Sequence, residues 1–151
     1  MRISTGFTLI ELVITILLIA ILSVVALPRL MTNSSYSAFT LRDEFISELR
    51  KVQLMAMNNQ DRCYQLEVDN EGYQLVRFDD ATCTGNSVSE PKQAFAGGGS
   101  LQLISTTSST FNLSFNTSGI SSLACYGECI NVIADETLVI NIESQGYIYG
   151  R

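Results

Sequence analysis

The sequence predicts an α+β protein, with one long N-terminal helix followed by an antiparallel sheet. Three observations predict it. From Phe7 to Leu27 nearly every residue is apolar, and Glu11 is the sole charge in that run. Beyond Pro28, apolar residues recur at three- and four-residue steps as far as Ala56, the period of a helix with one buried face. From Cys63 the period falls to two, and Gly-, Asn-, Asp- and Ser-containing turns interrupt the chain, as they do between strands. A helix laid on one face of an antiparallel sheet buries both patterns at once.

The apolar run comes first. Its 21 residues, Phe7 to Leu27, make a helix of about 31 Å, enough to cross a hydrocarbon core of about 30 Å. Pro28 lacks a backbone donor and crowds the preceding turn, which predicts a kink near Ser23–Pro28. Past it, Ala38, Leu41, Phe45, Leu49, Val52 and Ala56 draw one apolar stripe, while Arg42, Asp43, Glu44, Ser47, Glu48 and Lys51 fall off it. Asn58-Asn59-Gln60-Asp61 is the expected end. A helix from Phe7 to about Asn58 would be near 78 Å long. The Thr-, Asn- and Ser-rich stretch Met31–Ser37 is its poorest helix-forming part.

The strands follow. Tyr64, Leu66 and Val68 alternate with Gln65 and Glu67; after Asp69-Asn70-Glu71-Gly72, residues Tyr73–Phe78 alternate again. This reads as a β-hairpin, with Gly72 supplying a positive φ. Asp79–Lys92 reads as a loop, and Gly97-Gly98-Gly99 as a further break. Leu101–Ser105, Thr110–Phe115, Ile130–Ile133, Leu138–Glu143 and Tyr147–Tyr149 are the remaining strands, for one sheet of about six to seven.

Composition narrows the chemistry. The chain has 151 residues, a net charge of −6, a pI near 4.5, and neither His nor Trp. Without His there is no His-based triad, general base or zinc ligand. No catalytic residue, metal ligand or cofactor site is expected. Gly97–Gly99 lacks the strand–loop–helix frame and the Lys of a phosphate loop. Asp79, Asp80, Glu90, Asp135 and Glu136 lack the alternate spacing of a calcium loop. The acidic balance weighs against nucleic acid, which needs clustered Lys and Arg. Arg77, Lys92 and Arg151 are the candidates for a basic patch.

The N-terminus differs from an ordinary signal peptide. Such a peptide is cut at small residues after its apolar core. Here the small residue, Gly6, precedes the core, and the core is longer. Gly6-Phe7-Thr8-Leu9-Ile10-Glu11 resembles the processing site of class III signal peptides, those of type IV pilins and type II secretion pseudopilins. The resemblance implies that a prepilin peptidase cuts between Gly6 and Phe7 and that Phe7 becomes the N-methylated terminus. It also implies that Glu11 neutralises the terminal amine of a neighbouring subunit during assembly. A carboxylate at the centre of a membrane helix costs about 2.5–3.5 kcal/mol, somewhat less near its end, so an acid kept there points to a partner.

Three parts follow from this resemblance: a cleaved leader 1–6, a single-pass membrane and assembly segment 7–27, and a periplasmic pilin domain 28–151, with helix over 28–58 and sheet over 63–151. The expected location is the bacterial inner membrane, then a pilus or pseudopilus. The expected partners are other major and minor pilins, the prepilin peptidase and the inner-membrane assembly platform, without nucleic acid. Cys63, Cys83, Cys125 and Cys129 would then meet an oxidising compartment, where an even count suggests two disulfides. Of three possible pairings, Cys63–Cys83 and Cys125–Cys129 are favoured. The first closes a loop of about 21 residues, worth roughly 3 kcal/mol in the chain-entropy account.

Phe115-Asn116-Thr117-Ser118-Gly119 and the later Leu138–Tyr149 resemble the closing strands of the H-type pseudopilin and minor-pilin group, and within it the minor pilins of the mannose-sensitive haemagglutinin (MSHA) pilus. The implied function is structural: starting or capping a fibre used for surface attachment. The alternatives are an H-type minor pseudopilin of type II secretion and, third, a DNA-uptake minor pilin.

Overall fold

The computed structural model describes residues 8–31 and 37–151, apart from the side chains of residues 24–31. The chain divides into two compact units, Met1–Ser34 and Ser35–Arg151. In the first, the apolar run forms helix α1, Leu9–Met31. Pro28 falls within that helical span. The kink expected near Ser23–Pro28 falls mostly on residues whose side chains lie outside those described. The expected passage of one helix through Met31–Ser37 includes residues 32–36, which also lie outside them.

The second unit opens with helix α2, Ala38–Asn58. Its first turn has free N–H groups, and two are taken up here. The Ser37 hydroxyl accepts from the Phe39 N–H at 3.2 Å, and the Asp135 carboxylate accepts from the Ala38 N–H at 2.8 Å. At the other end the Asn59 side chain donates to the Met55 carbonyl at 2.9 Å. The expected stripe Ala38, Leu41, Phe45, Leu49, Val52 and Ala56 is buried, and Ile46 joins it.

The strands are β1 (Tyr64–Val68), β2 (Gly72–Phe78), β3 (Ser87–Ser89), β4 (Gln93–Ala94), β5 (Ser100–Leu103), β6 (Phe111–Ser114), β7 (Gly127–Ile133), β8 (Thr137–Ile142) and β9 (Ile148–Gly150). All pairings are antiparallel. The α+β layering of helix on antiparallel strands holds. The strand arrangement needs correction: the described residues form nine strands in two sheets. One has the order β3-β2-β1-β6 with β4 also beside β2, and the other is β5-β7-β8-β9. The two additional strands, β3 and β4, are exposed along their whole length, so no buried face marks them; backbone pairing to β2 makes them strands. The split arises because β5 and β6, neighbours in sequence, pair with β7 and β1 respectively. Helix α2 packs against strands of both sheets, and one core runs between them. Phe45, Leu49 and Val52 belong to one buried cluster with Leu66 and Leu113 of the first sheet and Leu101, Ile130, Ile140 and Ile148 of the second.

The β1–β2 turn also differs from expectation. Gly72 does not adopt a positive φ. Asp69 makes the turn, its carboxylate accepting from the N–H groups of Glu71 and Gly72 at 2.9 and 3.0 Å. Glycine is needed at position 72 because a Cβ there would collide with the Gln93 carbonyl of β4.

Gly146 is a position where the backbone does demand glycine. Its φ is +83°, and a Cβ would run into the Gly119 carbonyl oxygen. The Gln53 side-chain amide of α2 donates to both carbonyls, Gly119 at 2.7 Å and Gly146 at 2.6 Å. It pins the turn after β6 and the turn between β8 and β9 to the helix. Gly146→Ala is therefore expected to destabilise the protein by about 2 kcal/mol or more. Urea denaturation of the variant against wild type measures this.

The cysteines pair as Cys63–Cys83, with Cα atoms 5.2 Å apart, and Cys125–Cys129, at 5.7 Å. The first ties the residue before β1 to the loop after β2. The second reaches the buried Cys129, where the β7–β8 register shifts between Glu128 and Ile130.

In the loop after β2, Asp80 accepts from the hydroxyls of Thr82 and Thr84 at 2.7 and 2.8 Å and from the Thr84 N–H at 3.1 Å. The Thr82 hydroxyl first, then that of Thr84, hold the Asp80 carboxyl well below the usual carboxylate range. A depressed folded pKa contributes order that is present above the unfolded value of 3.8 and lost as pH falls through the folded one. Protection of the Thr84 amide, corrected for intrinsic exchange, is thus expected to drop in acid below about pH 4. In Asp80→Asn it should be weaker and flat across that range.

Candidate assembly site at the N-terminus

The expected site begins at Gly6 and Phe7, which lie outside the described residues. From Thr8 onward the geometry is set by a helix start. The Thr8 hydroxyl accepts from the Glu11 backbone N–H at 3.3 Å, satisfying one free donor of the first turn. Thr8 is absent from the site residues expected above. Its signal is the spacing Thr8-x-x-Glu11, that of a capping box. Glu11 lies in the first turn of α1, where the helix dipole favours a negative charge. Its side chain is exposed and thus open to a partner.

From Leu12 to Leu22 the described side chains of α1 form no polar face. Every large apolar side chain from Leu9 to Leu22 is exposed, from 38% at Val13 to 81% at Leu9. A helix that is apolar all round must be covered, by lipid or by other helices. The hydroxyl within the stretch and the one just after it are turned inward: Thr15 donates to the Leu12 carbonyl at 2.8 Å, and Ser23 to the Ile19 carbonyl at 2.7 Å. Neither then asks for water. Among the described residues no helix is long and apolar enough to cross a membrane. The side chains described in α1 stop at Ser23, about 22 Å from its start, and the rest of the expected 7–27 span lies beyond them.

Elsewhere two of the charged candidates are engaged locally. Lys92 of the suggested basic patch is paired with Asp69 at 2.5 Å and Glu71 at 3.7 Å, and it is not free for a phosphate. Asp135 serves the N-terminus of α2 and the Glu136 N–H.

Residues 1–27 match the model of the prokaryotic N-terminal methylation motif. The methylation motif supports a type IV pilin-like class III signal peptide at this N-terminus. It implies processing by a prepilin peptidase, membrane anchoring and then assembly with other pilins. The family that carries it is structural rather than enzymatic. No curated protein and no solved structure matches the chain.

Proposed function

We propose that this protein is a minor pilin of a type IV pilus of the MSHA kind, its C-type subunit, which starts or caps the fibre used for surface attachment. The observation that carries the assembly reading is helix α1. Between Leu9 and Leu22 it exposes apolar side chains on all sides, and it holds Glu11 in its first turn, within the matched methylation motif. The leader 1–6 is removed, segment 7–27 holds the chain in the inner membrane, and residues 28–151 stand in the periplasm. When assembly begins, α1 leaves lipid and packs among the corresponding helices of other subunits. Glu11 then pairs with the methylated Phe7 amine of a neighbour, which turns a costly membrane carboxylate into a signal for register. The C-terminal strands support the minor-pilin assignment through the Phe115–Gly119 turn and the Leu138–Tyr149 ending.

Two measurements test this. The amino-terminal mass of the purified protein should begin at methylated Phe7. In Gly6→Ser the uncleaved Met1 terminus should persist, with cleavage reduced about tenfold or more, because the peptidase pocket must admit the residue before the cut. A mature Phe7 terminus in that variant would overturn the site. Co-purification then separates the systems: MSHA pilins support this proposal, and type II secretion pseudopilins support the runner-up.

A further inference from the structure

Strand β3 is an open edge. It pairs with β2, and no strand lies beyond it among the described residues. The Glu90 N–H donates to the Leu75 carbonyl at 2.8 Å, and the Asp79 N–H to the Asn86 carbonyl at 3.0 Å. Residues 86, 88 and 90 therefore turn their backbone groups toward β2, and alternation turns those of Ser87 and Ser89 outward. Proteins usually close such an edge with a charge, a proline or a covering segment. The other edges are closed in that way. At β6 the Ser122 N–H donates to the Ser114 carbonyl at 2.8 Å, and the Ser122 hydroxyl accepts from the Ser114 N–H at 3.0 Å. At β9 the Arg50 guanidinium donates to the Ile148 carbonyl at 2.7 Å. At β5 the Leu103 N–H donates to the Ser108 carbonyl at 2.9 Å. Ser87-Val88-Ser89 holds neither charge nor proline and is exposed throughout.

The side chains beside this edge are of two kinds. Val88 is 62% exposed. It pairs in register with Arg77, which pairs in turn with the buried Tyr64. Directly paired residues share a face, so Val88 and Arg77 stand on the side of the sheet that carries α2. There Val88, Tyr64, Leu75 and Met55 of α2 line a cavity of about 190 Å³. Glu90 on its rim is already paired with Lys51 at 3.2 Å.

A second cavity borders Val88 and is lined by Arg62 and Arg77. Both arginines are exposed, and neither is in an ion pair among the described residues. The acid that lines this cavity, Asp79, accepts from the Asn86 side-chain amide at 2.9 Å. The chain has 15 Asp and Glu against 9 Lys and Arg. Carboxylates are in surplus, yet these two neighbouring arginines have none.

An open edge supplies main-chain bonds, an apolar cavity admits a side chain, and unpaired cations call for acids. We propose that β3 receives an extended segment of a partner protein as an added strand, with an apolar side chain across from Val88 and carboxylates two residues to either side of it, for Arg62 and Arg77. A period of two puts all three on the side that carries α2. A second copy of β3 is a poor occupant, because Ser87-Val88-Ser89 brings no carboxylate to the arginines. Nucleic acid would use the arginines and leave the apolar cavity and the strand edge unused. The site belongs to the soluble unit, separate from helix packing through α1 and independent of which fibre the chain joins.

The test is an NMR titration of the full-length protein in detergent micelles with the peptide acetyl-Asp-Thr-Val-Thr-Asp-amide. Saturable shifts are expected at the Ser87 and Ser89 amides, with a Kd of about millimolar. Hydrogen exchange of both amides should slow about fivefold or more at saturation, while that of Val88, already bonded to β2, stays the same. Acetyl-Lys-Thr-Val-Thr-Lys-amide should bind about tenfold weaker, although the net charge of −6 favours it in general. An Arg62→Gln/Arg77→Gln double variant should bind the acidic peptide about fivefold weaker, with the Glu90 amide still protected. Ser89→Pro removes an outward donor and no bond to β2, and it should abolish the shift at Ser87. If proline detaches β3, seen as lost Glu90 protection, the arginine variant decides alone. Equal or tighter binding of the lysine peptide would overturn the proposal. So would unslowed exchange at Ser87 and Ser89, shifts there that grow with protein concentration alone, unchanged binding by the arginine variant, or the same shifts from a thymidine oligonucleotide at lower concentration.

Discussion

Replacing Glu11 by valine is expected to leave the protein cleaved at Gly6 and held in the membrane while cutting its incorporation into fibres about tenfold or more. The size follows from the bond. A hydrogen bond between charged groups contributes about 1.5–3 kcal/mol, and each 1.4 kcal/mol is a factor of ten. The substitution is informative because it spares the Thr8 cap at the helix start. Thr8 bonds to the backbone N–H of Glu11, which valine keeps. Valine also makes α1 more apolar, so membrane retention should hold or improve. Poor incorporation would then report a lost partner rather than a lost anchor. Glu11→Asp should recover part of the loss and Glu11→Gln less, since glutamine can accept a hydrogen bond without the charge. The readout is the ratio of the protein in sheared fibres to that in the membrane fraction. An unchanged ratio for Glu11→Val would remove the pairing role.

Periodicity made most of the second unit legible before any coordinates. The α2 stripe is buried where a 3.6-residue period places it, and the β1 burial alternates as Tyr64, Leu66 and Val68 predict. What stayed hidden depends on long-range pairing. Ser87-Val88-Ser89 has no buried face and becomes a strand only because β2 offers it an edge. The split into two sheets is hidden for the same reason: alternation sets which face a residue takes but not which strand lies beside it. Gly72 was legible as a required glycine but not for the right reason, since its constraint comes from the Gln93 carbonyl 21 positions away. Glu44 and Glu48 read as solvated helix charge. They share a cleft with Glu90 and Tyr73 through the fold of the sheet, which no local pattern announces. At the N-terminus the reverse holds. The Gly6–Glu11 motif and the unbroken apolar run are continuous in sequence, so the class of protein could be read there, and the coordinates add the Thr8 cap and the exposure of α1.

Phe45→Ala is expected to carry the largest stability loss of any single substitution considered, about 3–5 kcal/mol. Phe45 is 0% exposed and sits midway along α2. Its ring meets Tyr73 of β2 edge-on, with centroids 5.1 Å apart, an arrangement worth about 0.5–1.5 kcal/mol beyond area burial. Truncation removes that pair and leaves a cavity bounded by a helix and a sheet, neither of which can readily collapse into it. Domains of this size are stable by only about 5–15 kcal/mol, so the change consumes a large part of the margin. The control is Leu54→Ala on the same helix. Leu54 is 60% exposed, and its loss should fall within about 0.5 kcal/mol. Chemical denaturation of both variants, with equal slopes, measures the two numbers. A Phe45→Ala loss near that of Leu54→Ala would mean that α2 does not rest on the sheets through this residue. The large difference expected between them is the energetic signature of one buried helical stripe holding two sheets together.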